Sequence, residues 1–230
     1  MDFMAEGFIK ALQLIFTLDR EVFGIALVSL KVSGIAITLA SVVGIPLGFI
    51  MGINEFVGKK TLTLILNTLV ALPTVVVGLL VYAILSRQGP LGILGLLFTP
   101  TAMIIGQFIL ALPMVTMLTL SAVHSLDPRV KITALTLGAN PLQVGWSVLK
   151  EAKYGVISAI IAAFGRVITE VGSAIMVGGN IRGYTRNITT AIALETAKGN
   201  FALCMALGMI LLIMAFGINI VFYQLQAKKI

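Results

Sequence analysis

The chain has 230 residues, of which 59% are hydrophobic and 11% charged, and its formal net charge is +7. A soluble domain carries about 25% charged residues, so this composition excludes an ordinary water-soluble protein and indicates a membrane protein. The length excludes a helical bundle fused to a nucleotide-binding domain, and the sequence contains no Gly-x-x-x-x-Gly-Lys-Ser/Thr loop for ATP. Nucleic acid is not an expected partner, because basic residues that flank membrane spans meet lipid phosphates.

The N-terminal segment, residues 1–26, is predicted to lie at the membrane surface. Apolar residues recur at helical spacing over Phe8–Phe23, but Lys10 and the run Asp19-Arg20-Glu21 interrupt them. This pattern predicts an amphipathic interfacial helix. A sixth span is the alternative.

Five apolar stretches are long enough for a transmembrane helix, which needs about 20 residues. Their continuous apolar runs favour helices over alternating β-strands. The predicted fold is therefore all-α: a polytopic helical bundle that forms a single transmembrane domain over residues 1–230. The predicted spans are Val28–Ile53, Leu62–Leu85, Thr101–Val123, Gly155–Val177 and Phe201–Leu225.

Small residues and prolines predict how the spans pack. Glycines at four-residue spacing predict close approach of another helix to the first span: Gly44, Gly48 and Gly52. Three prolines are each expected to kink a span, because proline removes a backbone donor: Pro46, Pro73 and Pro113. The triplets Ala71-Leu72-Pro73 and Ala111-Leu112-Pro113 predict the same local structure twice.

Lysine and arginine form two groups at opposite ends of the predicted spans. Their totals are nearly equal, so the tighter clustering of one group places it in the cytoplasm: Lys59, Lys60, Arg129, Lys131, Lys150, Lys153, Lys228 and Lys229. The other group is placed outside: Lys10, Arg20, Lys31, Arg87, Arg182, Arg186 and Lys198. With an odd number of spans, the N-terminus is then outside and the C-terminus inside.

The polar segment 124–154 between the third and fourth spans predicts two helices joined by a turn. Asp127-Pro128 suits a helix start, Gly138 a left-handed helix end, and Asn140-Pro141 the start of the next helix. We expect a short, rigid pair of helices, parallel to the cytoplasmic membrane surface, that carries force from a soluble partner into the bundle.

This segment resembles the Glu-Ala-Ala-x-x-x-Gly coupling loop of ABC importer permeases. Ile132-Thr133-Ala134 stands in place of Glu-Ala-Ala, and Gly138 matches the family glycine. Val148 occupies the hydrophobic position ten residues later, but Lys150-Glu151 replaces the family's Leu-Pro.

A more specific block covers Gly165–Gly199. It contains the runs GRVITEVG, MVGGNIRGYTR and TTAIALETAKG. The block resembles the permease subunits of tungstate ABC importers, which are close relatives of the molybdate permeases, and the likeness extends from about Lys31 to the C-terminus.

The resemblance implies a type I importer permease in the inner (plasma) membrane that translocates tungstate by alternating access. It implies several partners: a second copy of the chain, two cytoplasmic ABC ATPase subunits, an external tungstate-binding protein and membrane lipid. The chain itself would be non-catalytic and hold no cofactor or metal, because ATP and Mg²⁺ would bind the ATPase subunits. The residues implied to dock on the ATPase are Ile132, Thr133, Ala134, Gly138, Ala139, Asn140 and Pro141.

Four charged residues are candidates for the transport path. Arg166 and Glu170 share one face of the fourth span, where each charge alone would cost about 2.5–3.5 kcal/mol at mid-membrane. They form either a structural ion pair or a path-lining pair in which Glu170 limits the hold of Arg166 on a dianion. Arg182 and Arg186 are expected outside the membrane, either as contacts for the binding protein or the anion, or as solvated interfacial arginines.

Other readings remain open. Molybdate or another oxyanion is the alternative substrate. A gradient-driven secondary transporter or channel would favour paired halves with interrupted helices. A membrane scaffold protein would need neither a rigid coupling loop nor an ion pair within a span.

Overall fold

The computed structural model describes the backbone of residues 2–227 and the side chains of residues 6–220 and Gln224. Over these residues the chain forms ten α-helices, the short 3-10 helix Gly92–Leu94 and no strand, which confirms the all-α prediction. The helices are α1 (Asp2–Phe16), α2 (Arg20–Ile53), α3 (Lys59–Ala71), α4 (Thr74–Leu85), α5 (Pro100–His124), α6 (Arg129–Thr136), α7 (Pro141–Ile168), α8 (Gly172–Gly178), α9 (Ile188–Ala197) and α10 (Phe201–Ala227).

By length and apolarity the described helices give three spans, or the predicted five if each of two bent helix pairs is one span. α2, α5 and α10 qualify as single helices. The other two spans are helix pairs with a short break, α3 with α4 bent by 96° and α7 with α8 bent by 60°. The predicted spans Leu62–Leu85 and Gly155–Val177 are therefore interrupted, not continuous.

The N-terminal segment departs from the prediction. The prediction of a single helix over Phe8–Phe23 is wrong, because α1 ends at Phe16 and α2 begins at Arg20. The helix of the first span therefore starts at Arg20 and not at the predicted Val28. The Asp19 carboxylate starts α2 by accepting hydrogen bonds of 3.0 Å from the N–H groups two and three residues later. With 34 residues, α2 is about 51 Å long and exceeds the hydrocarbon layer of about 30 Å. α1 packs against α10 and is not among the spans.

The contact between α2 and α5 forms the centre of the bundle. All three predicted glycines of α2 face α5, as expected. A Cβ atom on Gly48 would collide with the backbone carbonyl oxygen of Thr116, and one on Gly52 would lie 2.6 Å from Cγ1 of Val123. α7 packs against the same two helices.

The two similar proline triplets form different structures, so that prediction is wrong. Pro73 lies in the break before α4, whereas Pro113 lies inside the unbroken helix α5, as Pro46 does in α2. The difference follows from packing. α5 is held between α2 and α7, whereas Lys59 is the one buried residue of α3.

Charged groups gather at two opposite ends of the bundle. At one end, Lys131 of α6 donates a hydrogen bond of 3.3 Å to the backbone oxygen of Ile53, the last residue of α2. At the other end, the first turn of α2 contacts Arg182 in the loop after α8. These contacts agree with the division of lysine and arginine into two groups, of which Lys228 and Lys229 lie outside the described residues.

Candidate functional site

The predicted coupling residues lie together at the α6 end of the bundle, in what we call the coupling segment, residues 127–141. The first three are on α6, the next three form the turn, and the last begins α7. Ala134 and Ala139 are half-buried and the other five are exposed: Ile132, Thr133, Ala134, Gly138, Ala139, Asn140 and Pro141.

Local sequence signals shape the turn as predicted. Gly138 adopts a left-handed conformation with φ of +79°. The Asn140 side chain accepts a hydrogen bond from the N–H of Gln143, and the Gln143 side chain accepts one from the N–H of Asn140, each 2.9 Å. Before α6, the Asp127 carboxylate accepts a hydrogen bond of 2.8 Å from the N–H of Arg129. The turn is thus fixed by the left-handed Gly138 after α6 and by the Asn140 capping box at the start of α7.

The second helix of the expected surface-parallel pair does not exist as a separate element. α7 continues unbroken from Pro141 to Ile168, so residues 141–154 belong to the same helix as the first part of the fourth predicted span. Buried residues at three- or four-residue spacing hold α7 against the bundle along its whole length. The coupling segment is therefore directly continuous with α7.

A groove of about 490 Å³ separates α6 from the bundle. Its lining is mostly apolar and includes Phe49 of α2, Leu135 of α6 and Trp146 of α7. Leu137 and Leu142, at the turn, are 81% and 85% exposed. Exposed apolar side chains at a polar end of the molecule fit contact with another protein.

A polar cluster next to the coupling segment was not predicted from the sequence. Lys59 is buried, and its Nζ lies 2.8 Å from Glu55 Oε1, 3.1 Å from the oxygen of Asn54 and 3.3 Å from Nε2 of His124. The hydrogen bond from Lys59 lowers the pKa of Glu55. Because Lys59 only donates, Nε2 of His124 is the acceptor in this pair. The cluster ties α3 to the end of α5.

Arg166 and Glu170 form the predicted pair, although not on one continuous helix. Arg166 Nη1 lies 3.6 Å from Glu170 Oε2, and the two side chains are 52% and 3% exposed. Glu170 follows the end of α7, and its other carboxylate oxygen accepts a hydrogen bond of 3.0 Å from the N–H of Ser173 in α8. Its backbone oxygen accepts a hydrogen bond of 2.7 Å from Oγ1 of Thr189. Glu170 therefore holds the broken backbone together as well as facing Arg166.

The two helix breaks pack against each other near this pair. A Cβ on Gly78 would lie 2.7 Å from Cα of Ser173, and one on Gly172 would lie 2.7 Å from Cγ2 of Val75. Between the breaks lies a small cavity of about 80 Å³. Its lining combines both breaks with α5: Val70, Leu72, Leu110, Met114, Arg166, Val167 and Glu170.

Arg182 and Arg186 occur at the opposite end from the coupling segment, and both pair with Glu21 of α2. Arg182 Nη2 donates to Glu21 Oε2, while Arg186 Nη1 lies 3.8 Å from Glu21 Oε1 and 3.8 Å from Glu195 Oε1. The Arg182 side chain is 71% exposed, whereas that of Arg186 is 10% exposed. Arg186 therefore joins α2 to α9 and does not present a solvated surface.

Glu195 completes the ion cluster that Glu21, Arg182 and Arg186 form. Lys198 Nζ lies 2.8 Å from its Oε1, and Asn200 Nδ2 donates to its Oε2 at 3.2 Å. The hydrogen bond from Lys198 lowers the pKa of Glu195 despite burial, and the hydrogen bond to Glu21 raises the pKa of Arg182. The cluster was not predicted, because Glu21 and Arg182 are 161 residues apart.

Known proteins resemble this chain in sequence over most of its length. The tungstate uptake system permease protein TupB of Peptoclostridium acidaminophilum is 42% identical over 99% of this chain and 100% of its own. A probable anion ABC transporter permease protein of Haloferax volcanii is 44% identical over 85% of this chain and 86% of its own. The molybdenum transport system permease protein ModB of Escherichia coli is 29% identical over 72% of this chain and 76% of its own.

A solved structure shares the fold. A chain of the MetNI methionine ABC transporter, in an inward-facing conformation, superposes with a TM-score of 0.73 at 17% identity over 93% of this chain and 96% of its own. The family model described as the binding-protein-dependent transport system inner membrane component matches residues 44–228. The chain thus belongs to the family of inner membrane permease components of binding-protein-dependent ABC transport systems.

Proposed function

We propose that this chain forms the translocation path for tungstate in an ABC importer. The main support for tungstate as the substrate is the 42% identity to a tungstate permease, which extends over 99% of this chain and 100% of the relative. Molybdate is the second candidate, which the weaker and shorter match to a molybdenum permease supports. Two copies of the chain would work together with two cytoplasmic ATPase subunits and an external binding protein.

The coupling segment is the proposed contact with the ATPase subunits. Its capped turn and exposed apolar residues give a stiff surface for a soluble partner, and α7 links this surface to Arg166 without a break. ATP binding would bring the ATPase subunits together and move α7, which closes the inner side of the path and opens the outer side. The breaks before α4 and α8 are the places where the spans would bend.

In this proposal the partner subunits hydrolyse ATP. ATP and Mg²⁺ would be held by the ATPase subunits, while this chain holds no cofactor and only changes conformation. On the outer side, the exposed Arg182 is the candidate contact for the anion or its binding protein. It borders a cavity of about 340 Å³ together with Arg20 and Gly183.

Reconstitution of the complete complex in lipid vesicles tests the substrate. ATP hydrolysis is measured with the binding protein empty or loaded with tungstate, molybdate or sulfate. We expect tungstate to stimulate hydrolysis most and the empty binding protein least. Equal stimulation by all three anions would remove the tungstate assignment, and no stimulation by any of them would contradict oxyanion import.

A further inference from the structure

The outward face of α7 differs from those of α2 and α10. From Gly155 to the end of the helix every fully exposed residue is small or polar, whereas the large apolar residues Ile157, Ile160, Ile161 and Phe164 are only half-exposed. We call the exposed residues, together with the half-exposed Ser158 and with Thr169 just after the helix, the α7 polar face: Ser158, Ala162, Gly165, Arg166 and Thr169. No large hydrophobic residue is exposed between Trp146 and Val171, in a stretch that the structure describes completely.

Helices that face lipid look different in this molecule. α2 exposes Leu27, Leu39 and Leu47, and α10 exposes Ile213 and Phe216. An arginine with a 52% exposed side chain is a poor neighbour for hydrocarbon, because ionisable residues within a membrane face protein or a water-filled cavity instead. The α7 polar face is therefore covered by water and protein in the working assembly.

Arg166 retains most of its hydrogen-bonding capacity. Its contact with Glu170, at 3.6 Å, is longer than a hydrogen bond, and its guanidinium has no hydrogen-bond partner among the described residues. Glu170 is committed elsewhere, since it accepts the N–H of Ser173. A guanidinium with five N–H donors suits the oxygens of a tetrahedral oxyanion.

We propose that two copies of the chain place their α7 polar faces toward one another, so that Arg166 and the partner subunit's Arg166 together contact the oxyanion during its passage. This inference rests on the proposed function and names a site that one chain alone does not complete. Two arginines match the charge of a dianion, and closed two-fold dimers are the commonest homo-oligomers.

Glu170 determines how tightly this site binds the anion. When the anion is absent, each arginine has a carboxylate nearby, so the empty site is neutral and the two like charges do not drive the copies apart. When the anion is present, the carboxylates oppose it and weaken its hold, as transport requires. The substrate competes with Glu170 for Arg166, while Glu170 keeps its hydrogen bond with the N–H of Ser173.

Cysteine cross-linking tests the facing arrangement. Cys204 is the only cysteine, so Cys204→Ser supplies a cysteine-free background for Arg166→Cys and Ala162→Cys. Ala162→Cys probes the same face without removing the ion pair. In the complete complex, a short bifunctional thiol reagent should join two copies into a covalent dimer at both positions, whereas the matched control Ile213→Cys, on the exposed apolar face of α10, should remain monomeric. Cross-linking at Ile213→Cys with none at Ala162→Cys overturns the proposal.

Transport by the variants Arg166→Gln and Arg166→Lys tests whether Arg166 contacts the anion. We expect tungstate uptake per ATP hydrolysed to fall about a hundredfold or more in Arg166→Gln, because the substitution removes one charged hydrogen bond from each of the two copies, and less in Arg166→Lys. Stimulation of hydrolysis by the loaded binding protein should persist in both variants. Unchanged uptake in Arg166→Gln, or equal loss of uptake and stimulation, would overturn the proposal in favour of a purely structural pair. Failure of the proposed function would appear separately, as absent stimulation in the unmodified complex.

Discussion

Gly138 has a conformation that decides the shape of the coupling segment. Its φ is +79° and its N–H donates a hydrogen bond of 3.0 Å to the oxygen of Leu135. Proline at this position would lose the N–H and fix φ near −65°, at a cost of about 3 kcal/mol or more. We expect Gly138→Pro to leave the bundle folded in the membrane but to abolish ATPase-driven uptake, measured in vesicles.

Gly138→Asn is the matched control for this variant. Asparagine tolerates the left-handed conformation and keeps the N–H, so uptake should stay close to that of the unmodified protein. Normal uptake by Gly138→Pro would contradict the coupling role. Loss of uptake in both variants would show that the side chain, and not the backbone, matters there.

Contacts between individual residues were predictable from the sequence where the two residues are close in the chain. The Gly138 turn and the Asn140 cap follow from local backbone preferences, and the pair Arg166–Glu170 follows from a spacing of four. The contact of Lys59 with His124, 65 residues apart, and the salt bridge of Glu21 with Arg182 depend on how spans are arranged. No local preference of the backbone encodes these contacts.

At the scale of helices, the α2–α5 contact depends most strongly on Gly48. A methyl group there would meet the Thr116 carbonyl oxygen, which belongs to a helix backbone and has no rotamer to change. We expect Gly48→Ala to destabilise the permease by about 1–3 kcal/mol, as overpacking does, and to lower its thermal unfolding temperature in detergent. Gly44→Ala should have a smaller effect, because its Cβ would lie 3.1 Å from the movable side chains of Thr116 and Val115. Equal effects of the two variants would contradict this account.

Apolar length predicted the three continuous spans and the positions of the two bent helix pairs, but it did not predict the breaks within those pairs. Pro73 indicated a local disturbance, whereas the identical triplet at Pro113 formed continuous helix. A break persists only where other groups satisfy the freed backbone, and those groups come from distant helices, as when Thr189 binds the oxygen of Glu170. The start of α2 at Arg20 was missed although Asp19 is a good N-cap residue, because the charges after it suggested the end of an apolar run.

At the scale of the whole molecule, the two charged ends define an orientation that can be measured. The positive-inside prediction places Lys60 in the cytoplasm and Arg87 outside. In the Cys204→Ser background, a membrane-impermeant maleimide added to intact cells should label Arg87→Cys and leave Lys60→Cys unlabelled. The reverse labelling pattern would invert the bundle and place the coupling segment outside the cell.

The interrupted spans do not make this chain a gradient-driven carrier. Broken helices are common in such carriers, and two of them do occur here, contrary to the sequence analysis. The family match over residues 44–228 nevertheless places the chain among binding-protein-dependent systems. Interruption of a helix is thus a feature of backbone geometry that transporters with different energy sources share.

The packed breaks before α4 and α8 also change how polarity inside the bundle should be understood. Thr189 and Gln107 are buried and bind backbone oxygens at or near the second break, those of Glu170 and Val167. The Thr189 hydroxyl and the Gln107 side-chain NH₂ group thus bind the backbone and are hidden from any passing solute. Near the second break, buried polar side chains therefore serve the interrupted main chain, whereas the polar residues on the outward side of α7 form the surface that we propose for the cargo.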